Sequence, residues 1–143
     1  LGSCGHVSIT LPAVKYMMLW GCRFGSKNMC DLLNDNSKLL FDTGATSKRS
    51  FLELGSGLGR AGIMAAAVMS MYDSYDSCTL TDGEADLIPQ LNHNCLRNST
   101  SRSVSMICEQ LWWGPCDDLR RMQATHPTGY DMIIGDSHCF CLC

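Results

Sequence analysis

The chain reads as an α/β protein, a parallel sheet with helices on both faces. Three observations predict this. From residue 51 onward, short apolar runs alternate with segments whose apolar residues recur at helical spacing. Glycines or polar clusters punctuate each change of period. The 143 residues, 45% apolar and 17% charged, suit one folded domain with a modest core and are too hydrophobic for a disordered tail. Strands alternating with helices pair in parallel through right-handed crossovers, which place helices on both sides of the sheet.

Phe51-Leu52-Glu53-Leu54 is a first strand, stopped by Gly55, and Ile63, Met64, Ala67, Val68 and Met71 mark the helix that follows. After a polar connection from Asp73 to Ser77, Cys78-Thr79-Leu80-Thr81 forms a second strand. Leu87, Ile88, Leu91 and Cys95 line one face of a second helix. Pro89 is tolerated there only in the first turn, where its missing N–H breaks no bond. Val104 to Leu111 is a third strand, Asp117 to Ala124 a short helix, and Tyr130 to Ile134 a fourth strand. Residues 1–50 are a lead-in: Met17, Met18, Leu19 and Trp20 are an apolar approach, Met29, Leu32 and Leu33 the inner side of a helix, and Asn34 to Ser50 a polar loop. Residues 51–136 are the core and 137–143 a Cys-rich tail.

Composition excludes several classes. Eleven Lys and Arg against fourteen Asp and Glu leave a formal charge of −3, so no global basic field recruits nucleic acid. The longest apolar run, Gly62 to Met71, falls well short of the ~20 residues of a membrane span. The opening Leu-Gly-Ser-Cys has no initiator Met and no basic stretch, so no signal peptide is expected and the chain reads as a fragment. Ten cysteines would suggest disulfides in a small secreted protein. Cys78, Cys95 and Cys108 instead fall inside apolar-periodic segments, where free thiols act as small buried hydrophobes, and the cytosol or nucleus is the expected compartment. The ending His138-Cys139-Phe140-Cys141-Leu142-Cys143 lacks the paired Cys-x-x-Cys of zinc sites, so no metal is expected. His6, His93, His126 and His138 are scattered, and none is expected to act as a base.

In sheets of this class the ligand crevice lies at the carboxyl ends of the strands. There, Gly55, Gly57 and Gly59 alternate with Ser56 and Leu58 between the first strand and its helix. Glycine permits a sharp turn and lets a ligand approach the main chain. The stretch Gly57-Leu58-Gly59-Arg60-Ala61-Gly62 also satisfies the dinucleotide fingerprint, with Asp82 twenty residues beyond Gly62. The strand frame separates the two readings, because a loop starting at Gly57 would leave Gly55-Ser56 to weaken a buried strand end. A loop starting at Gly55 puts the Glu53 carboxylate at that end, where it suits a cationic or hydroxyl-bearing ligand better than a pyrophosphate. Asp82 ends the second strand and either accepts two ribose hydroxyls or caps the following helix. Trp112 and Trp113 cannot both point inward; Trp112 is the candidate for packing and Trp113 for the site. Asn94 and Asn98, four apart on one helix face, tie that helix to a neighbouring loop.

These residues resemble the class I, seven-β-strand S-adenosylmethionine-dependent methyltransferases, whose first motif Glu53-x-Gly55-x-Gly57-x-Gly59 matches. Several marks are similar to the protein-lysine methyltransferase-like branch: Leu52 to Gly59, Leu80-Thr81-Asp82-Gly83, Leu91-x-x-Asn94-x-x-x-Asn98, Leu111-x-Trp113-Gly114 and Tyr130-Asp131-x-Ile133-Ile134-Gly135. The resemblance covers about residues 12 to 136 and implies a Rossmann-like sheet, incomplete at about four strands of the usual seven. It implies that S-adenosyl-L-methionine is the cofactor and a protein lysine amine the acceptor. It implies that Glu53, Gly55, Ser56, Gly57, Gly59 and Asp82 hold the cofactor, that Trp113 flanks the adenine, that Trp20 lies near the cofactor and that Asp136 lies near the transferred methyl. In the branch's fourth-strand segment the Asp stands later and a Tyr follows it; here Gly135-Asp136-Ser137-His138-Cys139-Phe140 moves the Asp forward and lacks the Tyr. The alternatives are a truncated, non-catalytic relative acting as a binding module, and a nicotinamide-dependent oxidoreductase.

Overall fold

The computed structural model describes residues 10–11, 14–16, 25–42, 44, 47–72, 74–99, 104–112 and 117–135. Two short strands, β1 (Thr10–Leu11) and β2 (Val14–Tyr16), precede helices α1 (Gly25–Asp35) and α2 (Ser37–Phe41). Then come β3 (Arg49–Leu54), α3 (Arg60–Met69), β4 (Tyr75–Asp82), a 3-10 turn (Ala85–Leu87), α4 (Ile88–Asn98), β5 (Ser105–Gln110), α5 (Asp117–Thr125) and β6 (Met132–Gly135). They form one sheet in the order β1-β2-β6-β3-β4-β5. All neighbours pair in parallel except β1, which is antiparallel to β2.

The expected four parallel strands after residue 50 are therefore present as β3, β4, β5 and β6. The lead-in adds β1 and β2, which the sequence does not announce because strands this short cannot display a period of two. No described helix is long and apolar enough to cross a membrane.

Register divides the side chains between the faces. Phe51 stands beside Cys78 and Met132, and Glu53 beside Leu80 and Ile134. The apolar members of this face join Met29 and Leu33 of α1, Phe41 of α2, Ala61, Ala65, Ala66, Val68 and Met69 of α3, and Leu91 and Cys95 of α4 in the main core. On the opposite face Leu52 packs with Leu111, Met122 of α5 and Tyr130. Helices thus lie on both faces, as alternating strand and helix periods require.

Three local readings change. The supposed polar loop from Asn34 to Ser50 contains α2, because Phe41 is completely buried, edge-on to Tyr75 with ring centroids 5.6 Å apart and 6.4 Å from Phe51. Burying one such ring stabilises by about 1.5–3 kcal/mol, which offsets part of the entropy cost of ordering the segment around it. Strand β4 starts at Tyr75, inside the presumed polar connection, since Tyr75 fills the same aromatic cluster and pairs with Arg49. Helix α3 stops at Met69, leaving Met71 67% exposed instead of on the inner face. Pro89 does occupy the first turn of α4. Entry into β6 is pinned by Asp131, whose Oδ2 accepts the Ser50 N–H at 2.9 Å while its own N–H donates to Ser50 O at 3.0 Å.

Burial pushes the Tyr130 phenol up to about 12. An unfolded tyrosine titrates near pH ~10. The native state therefore holds this proton more tightly, and the associated stability is intact below about pH 10 and is lost as the pH rises toward about 12. In urea melts across that interval, the wild-type midpoint should fall more steeply than that of Tyr130→Phe. Parallel slopes would contradict the assignment.

Candidate functional site

The chain turns as soon as β3 ends at Leu54. Gly55, Gly57 and Gly59 have φ of +70°, +54° and +86°, the left-handed region where a side chain is costly. The loop thus begins at Gly55, in the frame the buried strand demands. A Cβ placed on Gly57 would meet no atom within 4 Å, so the main chain there borders open space. At Gly59 an added Cβ would come 2.5 Å from Leu91 Cδ1, so this glycine lets α4 approach.

The loop is stitched to the neighbouring strand. Ser56 N–H donates to Thr81 O at 2.8 Å, and its buried Oγ accepts the Thr81 N–H at 3.1 Å. Thr81 Oγ1 in turn donates to Glu53 O at 2.8 Å. Ser56→Ala removes the acceptor and leaves a buried amide unpaired, at a cost of about 1–3 kcal/mol. Chemical denaturation should show that loss, while Ser56→Thr, which keeps the hydroxyl, should lose less.

Asp82 closes the arrangement. Its Oδ2 accepts the Gly57 N–H at 2.8 Å and its Oδ1 accepts the Glu84 N–H at 3.0 Å. The glycine turn and the strand-ending acid, read separately in the sequence, are in direct contact. Asp82 also performs the bland role, since the Glu84 bond shapes the turn into the helix. A carboxylate offers about four acceptor positions, so two backbone amides do not saturate it.

Glu53 faces the other way. It is 5% exposed beneath α3, and its Oε2 accepts the Gly62 N–H at 3.0 Å. Gly59, as the residue before the helix, has no side chain to cap it, and the first helical N–H groups need partners. The Glu53 carboxylate supplies one from below, with the charge that the helix N-terminus favours. Part of the predicted ligand-binding capacity of Glu53 is thus committed to the fold.

The end of β5 completes the crevice wall. Leu111 N–H donates to Asp82 O at 2.9 Å, and Gln110 Nε2 to Gly83 O at 3.0 Å. Leu111 takes the inward position, so Trp112, expected to pack inside, is 57% exposed. Its ring lies 3.1 Å from where a Cβ on Gly83 would be, at the end of the sheet that carries Asp82. The Trp112 N–H donates to Asp118 Oδ2 at 3.0 Å, which, with Arg121, holds that carboxyl below its ordinary range. Asn94 Nδ2 donates to Leu58 O at 2.9 Å, tying α4 to the glycine loop as expected, and Asn98 Nδ2 donates to Asn94 O at 2.8 Å.

Gly55, Ser56, Gly57 and Asp82 therefore meet at the carboxyl ends of β3 and β4, with Gly59 at the helix entrance. Trp20, Trp113 and Asp136 lie outside the described residues, as does the Cys-rich tail. Sequence reasoning missed Thr81, Gln110 and the placement of Trp112. Their position at strand ends was a signal, but residue type alone does not say which end residues bond across strands.

A family model described as lysine methyltransferase matches residues 23–140. A search of curated proteins finds no match. Among solved structures, a SAM-dependent methyltransferase from Agrobacterium tumefaciens is similar at 20% identity and a TM-score of 0.47, covering 94% of this chain and 41% of that one. A tRNA (uracil-54, C5)-methyltransferase from Pyrococcus abyssi, in complex with S-adenosyl-L-homocysteine, is similar at 18% identity and a TM-score of 0.39, covering 75% of this chain and 24% of that one. The chain thus spans less than half the length of either structure. On the family match over residues 23–140, the chain belongs to the lysine methyltransferase family.

Proposed function

We propose that the chain binds S-adenosyl-L-methionine at the carboxyl ends of β3 and β4, and that the protein it belongs to transfers the methyl group to a lysine amine of a protein substrate. One observation carries the binding reading: the Asp82 carboxylate and the Gly57 amide meet at 2.8 Å, beside main chain that borders open space. A compact loop with glycine at alternate positions and a carboxylate beside it suit an adenosine carrying two ribose hydroxyls and an amino-acid tail. The residues present fit the group.

When bound, the cofactor supplies a methyl on a positively charged sulfur. The chain's contribution is positional. Gly55, Ser56 and Gly57 present the main chain, Asp82 accepts from the ribose hydroxyls, and Glu53 keeps the entrance of α3 in register below the loop. The family resemblance assigns Trp113 to the adenine, Trp20 to the surroundings of the cofactor and Asp136 to the transferred methyl. Attack by a neutral amine on such a methyl gains most from alignment and exclusion of water. That requirement needs no triad of acid and base, which accords with the scattered histidines. The free thiols of Cys30, Cys78, Cys95 and Cys108 fit the cytosol or nucleus as its compartment.

Titration calorimetry with S-adenosyl-L-methionine and, separately, with NAD tests this directly. Saturable heat with the methyl donor and none with NAD is expected. Binding of NAD alone would replace this reading with the oxidoreductase one, and heat with neither would leave the fold without the proposed ligand. Transfer of labelled methyl to a lysine-containing protein, absent when its lysines are blocked, tests the acceptor.

A further inference from the structure

Cys95 on α4 and Cys108 on β5 face each other with their Sγ atoms 3.4 Å apart. Cys95 is buried and Cys108 half-buried. Both are anchored: Cys108 pairs with Leu80 in the sheet, and Cys95 lies one turn beyond the fully buried Leu91, next to the Asn94 that bonds the glycine loop. A disulfide spans ~2.0 Å between sulfurs, so closing this pair moves them by little more than an ångström. Holding two reacting groups this near replaces a chance encounter by a local adjustment.

The pair is also chemically asymmetric. Loss of a proton is eased at Cys108, because the Cys95 S–H can donate to the resulting thiolate, and burial opposes this. The same contact, then burial, pushes the Cys95 thiol far up, so it stays protonated. Cys78, on the same face, differs from both. It is fully buried, its S–H donates to Gly62 O at 3.7 Å, and burial keeps it a thiol.

We propose that Cys95 and Cys108 are a modification site, a dithiol that a two-electron oxidant of the peroxide class converts to a reversible disulfide joining α4 to β5. The Cys108 thiolate attacks one peroxide oxygen, the O–O bond breaks, and the departing hydroxide takes up a proton to become water. Cys108 is then a sulfenic acid. The Cys95 sulfur attacks the Cys108 sulfur, and its proton leaves with the hydroxyl as a second water. Two thiols and one hydrogen peroxide give one disulfide and two waters, with both electrons passing from sulfur to oxygen. This inference is independent of the methyltransferase reading.

The test is disulfide mapping of the folded protein after brief treatment with hydrogen peroxide and alkylation of the remaining thiols. Cleavage at Arg and Glu isolates Cys95 in residues 85–97 and Cys108 in residues 103–109, separating each from Cys78 and Cys116. The joined 85–97/103–109 species should exceed any other pairing of Cys30, Cys78, Cys95 and Cys108 by at least about tenfold, and should vanish on adding dithiothreitol. The same treatment in about 6 M guanidinium should abolish the preference, because proximity comes from the fold. Recovery of Cys95 and Cys108 as separate alkylated peptides, or equal pairing distributions with and without denaturant, overturns the proposal. Because the wild-type protein is the sample, no outcome depends on whether a cysteine variant folds.

Discussion

Asp82→Ala is expected to reduce the affinity for S-adenosyl-L-methionine by at least about a hundredfold. Each hydrogen bond from a ribose hydroxyl to the carboxylate contributes ~1.5–3 kcal/mol, and two of them together, ~3–6 kcal/mol, exceed the ~2.8 kcal/mol that corresponds to a factor of a hundred. The substitution also frees the Gly57 and Glu84 amides, which lose their bonds of 2.8 and 3.0 Å. These amides border solvent and can bond water, so melting should fall by only a few degrees while binding collapses. Asp82→Asn keeps the shape but places an NH2 where one of the two amides donates, so its loss should be intermediate. Calorimetry at fixed salt, with far-UV circular dichroism to verify folding, gives the measurement. An affinity for Asp82→Ala within about threefold of wild type would remove the ribose role and leave Asp82 as a turn-forming residue only.

Gly62→Ala should produce the opposite signature, a large loss of stability. In the interior of a helix this replacement ordinarily stabilises by up to ~1 kcal/mol through backbone entropy and helix propensity. Here the new Cβ would sit 2.5 Å from Leu80 Cδ2 and 2.7 Å from Leu80 Cγ, and would press against Glu53 Oε2. Leu80 is completely buried and cannot swing away. Overpacking of this kind costs ~1–3 kcal/mol, and displacing the buried Glu53 carboxylate from the Gly62 amide adds a further ~1–3 kcal/mol. Sterics therefore win, with a net loss of roughly 3 kcal/mol and a melting temperature lower by roughly 10 °C. Thermal and urea unfolding would show it, and an unchanged or raised midpoint would mean that Glu53 and Leu80 repack freely.

Much of the core was legible because its signals are local. The run Phe51 to Leu54 and the glycine at 55 identify a strand and its end, and the three alternate glycines identify a tight loop whatever they hold. Leu91 and Cys95, four residues apart, reveal the buried stripe of α4. The lead-in was harder to read. One buried aromatic, Phe41, organises α2 inside a polar stretch, and its partners Phe51 and Tyr75 lie in later elements. No window of sequence around Phe41 contains that information. Trp112 illustrates the same limit: expected to pack inside, it stands outside because Leu111 takes the inward place.

Residue type and spacing within a few positions are enough to give the order of strands and helices after residue 50, the frame of the glycine loop and the acid at the end of the second core strand. It takes the assembled sheet to bring Asp82 onto Gly57 across 25 residues, to turn Glu53 beneath Gly62 in service of the helix, and to set Cys95 against Cys108. Register makes the difference. Which side chains share a face at one end of a sheet depends on how separate strands align, and that alignment follows from the packing of the whole core rather than from any segment of it.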